Sequence, residues 1–170
     1  MKRITALLIA SIILVPANAF SQRKRSTKQP TRSTTSAKSS SVQQEGAIRV
    51  ADQIKNLTRF IFLLGGVAKG IESVDDAARR NEASPEVVEQ AKRNKDTVRT
   101  SIKNVREGLD LLEIDFRTSP ELQRYYIKLA GVASGAATAE DQAAANQFDR
   151  AGRSLVDVVN RLTDVLLEMR

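Results

Sequence analysis

Beyond residue 46 the apolar side chains fall three and four positions apart, the period of a helix that buries one face. Val50, Ile54, Leu57, Ile61, Leu64, Ala68 and Ile71 form an unbroken seam, widened by Phe60, Leu63, Val67 and Val74, which predicts a long first helix over about 47–81. Gly65, Gly66 and Gly70 lie inside that span. Each costs a helix about 1 kcal/mol relative to alanine, so a kink or a close backbone approach is expected there.

The two prolines after residue 46 both sit between a serine and a glutamate, in Ser84-Pro85-Glu86 and Ser119-Pro120-Glu121. A capping serine, proline in the first turn and an acid near the positive helix end are start signals. They predict a second helix over 85–116, with the seam Ala91, Val98, Ile102, Val105, Leu109, Leu112 and Phe116, and a third beginning at 120. The third carries Leu122, Tyr126, Leu129, Ala133 and Ala136, with Tyr125 and Val132 beside them, and is expected to end near Gly135 as small residues take over. Thr138 with Asp141 three residues on resembles a cap for a fourth helix over 139–169. Its expected seam runs from Ala144 or Ala145 through Phe148, Gly152, Leu155, Val159, Leu162, Leu166 and Met169.

Connections this short make successive helices antiparallel neighbours, so the fold class is all-α, an antiparallel up-down four-helix bundle over 47–170. A third helix of 120–135 is short beside the others and leaves part of a groove open. Either the long helices break near Gly65-Gly66 and Gly152, or a second copy covers the exposed seam. Leu155, Val159, Leu162, Leu166 and Met169 are therefore the candidate self-association seam of a homodimer.

The segment before the bundle has a different pattern. Lys2-Arg3, an apolar stretch from Ile4 to Val15 and the small-residue site Ala17-Asn18-Ala19 read as a secretory signal peptide over 1–19, cut after Ala19. About 12 apolar residues are too few to span a bilayer, and no later stretch offers a transmembrane span in the mature chain. Export is expected, to a periplasm or the exterior of a bacterial cell. Residues 20–46 are rich in Ser, Thr, Lys and Arg, with Ala37 and Val42 the only apolar side chains between 21 and 45. So little burial cannot offset ordering entropy, which predicts a disordered basic linker.

The formal charge of +7 suggests an anionic partner until it is divided along the chain. Residues 20–46 carry six Lys/Arg against Glu45, whereas 47–170 carry 19 basic and 19 acidic residues, so the bundle is neutral. Arg23, Lys24, Arg25, Lys28, Arg32 and Lys38 are the candidate contacts for weak binding to an anionic surface. The linker has no aromatic side chain between residues 21 and 46 to stack on bases, so no specific nucleic-acid binding is read from it.

Candidate chemistry is sparse, because the chain has no His and no Cys. Triads built on imidazole or thiolate, Cys/His zinc sites and disulfides are ruled out by composition. Asp52, Asp110, Glu113, Asp115, Glu121, Asp164 and Glu168 gather at one end of an antiparallel bundle and superficially resemble a carboxylate-bridged metal site. Arg49, Arg117, Arg124 and Arg161 belong to the same end, and a salt-bridged rim is the better reading. Asp76/Arg80, Glu89/Arg93, Asp149/Arg153 and Asp157/Arg161 are spaced for i, i+4 pairs on exposed faces. Lys95 interrupts the second seam and is expected to meet Asp75 or Glu72 across the first hairpin. No cofactor or metal is expected.

Phe62 breaks the amphipathic pattern. At 100° per residue it lies about half a turn from the apolar face, beside Gly66 and flanked by Lys55, Arg59 and Lys69. These five residues form a candidate interaction face. The reading that results is a non-enzymatic interaction or assembly module of the cell envelope, as a homodimer or with an envelope protein. An apolar-ligand carrier is the alternative, motivated by Gly65, Gly66, Ala68, Gly131, Ala133 and Gly135, and a carboxylate-dependent metal enzyme is a remote third.

Overall fold

The computed structural model describes residues 33–170, with side chains from Ser39 onward. Among them the chain is all-helical, with α1 over Ser33–Arg79, α2 over Pro85–Thr118, α3 over Gln123–Leu129, α4 over Val132–Ala144 and α5 over Phe148–Glu168. The leader expected over 1–19 and linker residues 20–32 lie outside this range. No described helix is long and apolar enough to cross a membrane.

α2 packs against α1, α3 and α4, α5 packs against α3 and α4, and α1 closes the ring against α5. The directions follow from paired positions. Arg49 near the start of α1 meets Asp115 near the end of α2 at 2.7 Å, and Asp75 near the end of α1 meets Lys95 near the start of α2 at 2.8 Å. Ser154 early in α5 donates to Gln142 late in α4, and Lys128 of α3 pairs with Glu168 at the end of α5. Consecutive limbs therefore run antiparallel, with α3 and α4 together forming the third.

The seams of the first two helices meet in the core. Val50, Leu57, Leu64, Ala68 and Ile71 are buried, with Ile54 and Ile61 packed at the margin. From α2 the core takes Val98, Ile102, Leu109, Leu112 and Phe116. α2 begins at Pro85 with Ser84 at the N-cap position, but the Ser84 side chain makes no capping hydrogen bond to the backbone; its carbonyl accepts from Val87 N and Val88 N. The Glu86 carboxyl is held below its ordinary pKa by its own backbone N–H and then by the Ser84 hydroxyl. The Lys95–Asp75 pair also forms across the hairpin, with Nζ 2.8 Å from both carboxylate oxygens.

The third limb differs from its expected shape. Ser119-Pro120-Glu121 makes a turn whose Ser119 carbonyl accepts from Leu122 N and Gln123 N, so α3 begins at Gln123. The limb then breaks at Gly131, with φ 95°, and continues through Gly135 to Ala144. The Glu113 carboxylate accepts from Gly131 N at 3.0 Å and Ala133 N at 2.9 Å, which fills the anion position at the start of α4. Gly135 does not end the helix, because the missing side chain admits Val158: a Cβ there would sit 2.8 Å from Val158 Cγ2. Thr138 is likewise no cap, its hydroxyl donating to Ser134 O inside α4. The fourth limb therefore starts at Phe148, after a turn at Asn146 with φ 60°.

That longer third limb changes the seam of α5. Phe148, Leu155, Leu162 and Met169 are buried as expected, but Ala151, Val158 and Val165 fill the alternate positions, with Val159 and Leu166 packed at the core's edge. Ala144 and Ala145 are exposed. Both α1 and α5 stay helical through Gly65-Gly66 and Gly152.

The first helix also starts earlier than its spacing predicts, so residues 33–46, assigned to the linker, are helical. Val42, Gly46 and Val50 continue the seam at intervals of four. Gly46 is buried where a Cβ would come within 2.8 Å of Leu122 Cδ2, and Gln43 donates to Met169 O and accepts from Arg124. Val42 packs against the core although it looked isolated in a polar segment.

Two predictions follow from these contacts. Glu113→Ala lowers unfolding free energy in urea by about 1–2 kcal/mol, the range for losing a capping carboxylate that satisfies buried N–H groups; Glu113→Gln recovers part of it through its amide oxygen. Removing residues 20–38 from the mature chain leaves the melting temperature within a few degrees. Extending the deletion through Gly46 lowers it clearly, because Val42, Gln43 and the Leu122 seat are lost.

Candidate functional site

The outer side of α1 is the largest departure from ordinary amphipathic design. Phe62 is 82% exposed, Leu63 57% and Val67 37%, and Lys55, Arg59, Gly66 and Lys69 are all exposed around them. The five residues picked out by helical spacing thus share one solvent-facing side of one helix. The reason is local: Leu57, Leu64, Ala68 and Ile71 take the buried side, and Phe62 is half a turn away. Lys55 Nζ lies 3.2 Å from Asp52 Oδ1, in an exposed pair.

Two apolar grooves border this ridge at the same level. Between α1 and α2, a space of about 270 Å³ is lined by Phe60, Leu63, Leu64 and Val67 with Asn94, Thr97, Val98 and Ser101. Between α1 and α5, one of about 220 Å³ is lined chiefly by Ile61, Leu64, Gly65 and Ala68 with Phe148, Gly152 and Val156. Leu64 forms part of both walls. The apolar surface accordingly wraps from one groove over Phe62 to the other. Leu63 and Val67 were read as widening the buried seam; they lie instead on the groove's outer lip, since one four-helix core covers less than the full breadth of that seam.

Six of the eight glycines fall into two groups. Gly46, Gly131 and Gly135 each lie so close to a neighbour that a Cβ would come within 2.8–2.9 Å of it. At Gly65, Gly66 and Gly70 a Cβ would meet nothing within 4 Å. The close approach expected at these three positions is therefore not made to any other described helix. Of the small residues offered as room for a ligand, Ala68 and Ala133 are buried in the core, and Gly131 and Gly135 are approached by Arg161 and Val158.

The proposed self-association seam requires correction. Leu155 and Leu162 are fully buried, Met169 nearly so, and Val159 and Leu166 pack against the core. The third limb, extended to Ala144, covers what a helix ending at 135 would have left open. Of the basic linker contacts, Lys38 falls within α1, and Arg23, Lys24, Arg25, Lys28 and Arg32 lie outside the described residues.

Five of the seven carboxylates read at the bundle end have partners of their own. Asp115 pairs with Arg49, Glu168 with Lys128 and Asp52 with Lys55, while Glu113 caps α4. Asp110 and Glu140 share Arg106, whose guanidinium pKa is raised above its ordinary value mainly by the Glu140 hydrogen bond. Among the described residues no three acidic side chains converge with metal-holding geometry. The surface pairs also differ from their spacing: Glu89 meets Arg93 at 3.9 Å, but Asp76 takes Arg79 and Arg80 takes Glu82.

No protein-family model matches the sequence, and neither curated proteins nor solved structures give a match. The functional reading therefore rests on this face and its chemistry.

Replacing Gly65, Gly66 and Gly70 together by alanine stabilises the dilute, folded chain by about 1 kcal/mol per site, since each Cβ enters open space and helix propensity improves. Urea denaturation followed by circular dichroism measures it, and a net loss of stability would show that these backbones are packed within the chain.

Proposed function

We propose that the mature chain is an exported, non-enzymatic helical bundle that serves as an interaction or assembly module in the cell envelope, with the outer face of α1 as its contact surface. The observation that carries this reading is Phe62, 82% exposed at the centre of an apolar strip that runs into grooves on both sides. Single exposed apolar residues are common on soluble proteins; a contiguous strip rimmed by Lys55, Arg59 and Lys69 marks contact surfaces. The lack of His and Cys supports a binding role over imidazole or thiolate catalysis. The apolar grooves, of about 270 and 220 Å³, are small for an apolar cargo, and the larger space of about 370 Å³ beside Gly131 and Gly135 is walled largely by Ser134, Thr138, Ser154, Asp157 and Arg161, a polar lining that favours a protein contact over an apolar-ligand carrier. The leader-like pattern Lys2-Arg3, Ile4 to Val15 and Ala17-Asn18-Ala19 supports export.

The test places a photo-crosslinking amino acid at Phe62, and at the equally exposed Ile127 of α3 as a control, in the full chain expressed with its leader in a bacterial host. Mass spectrometry should find the mature chain beginning at Phe20 in the exported fraction. Irradiation should give a discrete adduct with another polypeptide chain from position 62 and none from 127. A cytoplasmic, uncut chain removes the envelope assignment, and no adduct at 62 removes the contact surface.

A further inference from the structure

We infer that the outer face of α1 receives a second copy of this chain, the two α1 helices crossing antiparallel with their two-fold axis beside Gly66. This rests on reading α1 as the contact surface and names its partner. Residues 60–68, Phe-Ile-Phe-Leu-Leu-Gly-Gly-Val-Ala, contain no polar side chain over about two and a half helical turns. A helix apolar on every side belongs in a buried setting, yet the bundle covers only the side of Leu57, Leu64 and Ala68. Glycine is the costliest residue after proline in a helix, and Gly65, Gly66 and Gly70 serve no close contact among the described residues. Gly66 and Gly70, one turn apart, allow an approaching helix to come close to the backbone.

Charge order selects the occupant. Along the exposed side, Lys55 and Arg59 precede the apolar strip, and Glu72 and Asp76 follow it. An antiparallel crossing about Gly66 sets Phe62 of one copy over Gly70 of the other and brings Lys55 and Arg59 opposite Asp76 and Glu72. It also places Asp52 opposite Arg80 and lays the Lys69 stem along Leu63. A parallel pairing would stack like charge on like. The present partners on this face, Asp52 with Lys55 and Asp76 with Arg79, are exposed surface pairs that exchange at little cost. An anionic bilayer gains less, because Asp52, Glu72 and Asp76 offset Lys55, Arg59 and Lys69. A two-fold contact needs a self-complementary patch, and this blockwise order supplies one.

The experiment compares mature full-length chains by sedimentation equilibrium, with circular dichroism as the check on folding. Gly66→Leu with Gly70→Leu should keep helicity, because both Cβ positions are open, and abolish the dimer. Lys55→Glu with Arg59→Glu, and separately Glu72→Lys with Asp76→Lys, should each weaken self-association by about tenfold or more through like-charge repulsion, and an equimolar mixture of the two should recover it. Weakening by each charge variant by itself identifies the antiparallel register, because in a parallel pair each block already faces its like and its reversal leaves that repulsion unchanged; recovery in the mixture shows that the effect is electrostatic. A dimer indifferent to all three variants overturns the proposal by placing the contact elsewhere. A wild-type chain that is monomeric at high micromolar concentration overturns it too; the Phe62 crosslink then separates the cases, since an adduct with a different protein keeps the contact surface and its absence removes both. Monomer that binds phosphatidylglycerol vesicles through Phe62 assigns the face to a bilayer and likewise overturns self-pairing.

Discussion

The placement of α4 depends on two charged side chains of α2. At one end the Glu113 carboxylate accepts the N–H groups of Gly131 and Ala133; at the other, the Arg99 guanidinium donates to the carbonyls of Ala143 and Ala144 and to Asn146. An anion at the helix start and a cation at its end both complement the helix dipole, so the pair fixes which way α4 runs as well as where it lies. The spacing agrees. Fourteen positions separate Arg99 from Glu113, about 21 Å along α2, close to the roughly 20 Å length of the 13-residue α4. Arg106, between them, holds Glu140 on the facing side of α4 and adds a tie midway.

This arrangement matters because α4 contributes few large side chains. Ala133, Ala136, Ala139 and Ala143 are buried, and Gly135 lets Val158 come against the backbone. Small residues permit close helix approach but specify register weakly, since one alanine substitutes readily for another along the helix. The charged ends supply the register that side-chain shape does not. Once α4 is held, Leu155, Val158 and Leu162 of α5 are covered, and α1 closes the remaining side through Leu57 and Leu64.

The same physics explains what the amino-acid pattern disclosed. Helices one and two could be read with their buried seams because large apolar residues recur at helical spacing and Ser84-Pro85 marks a boundary. The third limb was obscured because alanine and glycine look like a fading seam, and a carboxylate distant in sequence, Glu113, was needed to continue it past Gly131. A limb ending at 135 would leave Leu162 and Leu166 open, whereas one that runs to Ala144 covers them. The early start of α1 was hidden for a related reason. Val42 and Gly46 acquire meaning only when Leu122 and Met169 stand opposite, and Gly46 contributes through what it lacks. Phe62, by contrast, was legible from angular position alone, together with Lys55, Arg59 and Lys69, because a side chain opposite a strong seam has nowhere to be buried. Its flanking grooves were not, since they depend on how far apart α1, α2 and α5 stand.

The face of α1 therefore has two independent sets of requirements. Its inner side must match Ile102, Leu109 and Leu155 in volume, where a lost methylene leaves a cavity in a close-packed interior. Its outer side is free of those demands, yet it carries Phe62, Leu63 and Val67 together with helix-weakening glycines. Intramolecular stability alone would favour alanine or a charged helix former at Gly65, Gly66 and Gly70, and polar side chains at 62 and 63. At these five positions on one exposed surface each departure weakens the isolated helix or its solvation, and no contact among the described residues offsets it, which is the cost the proposed contact surface would recover.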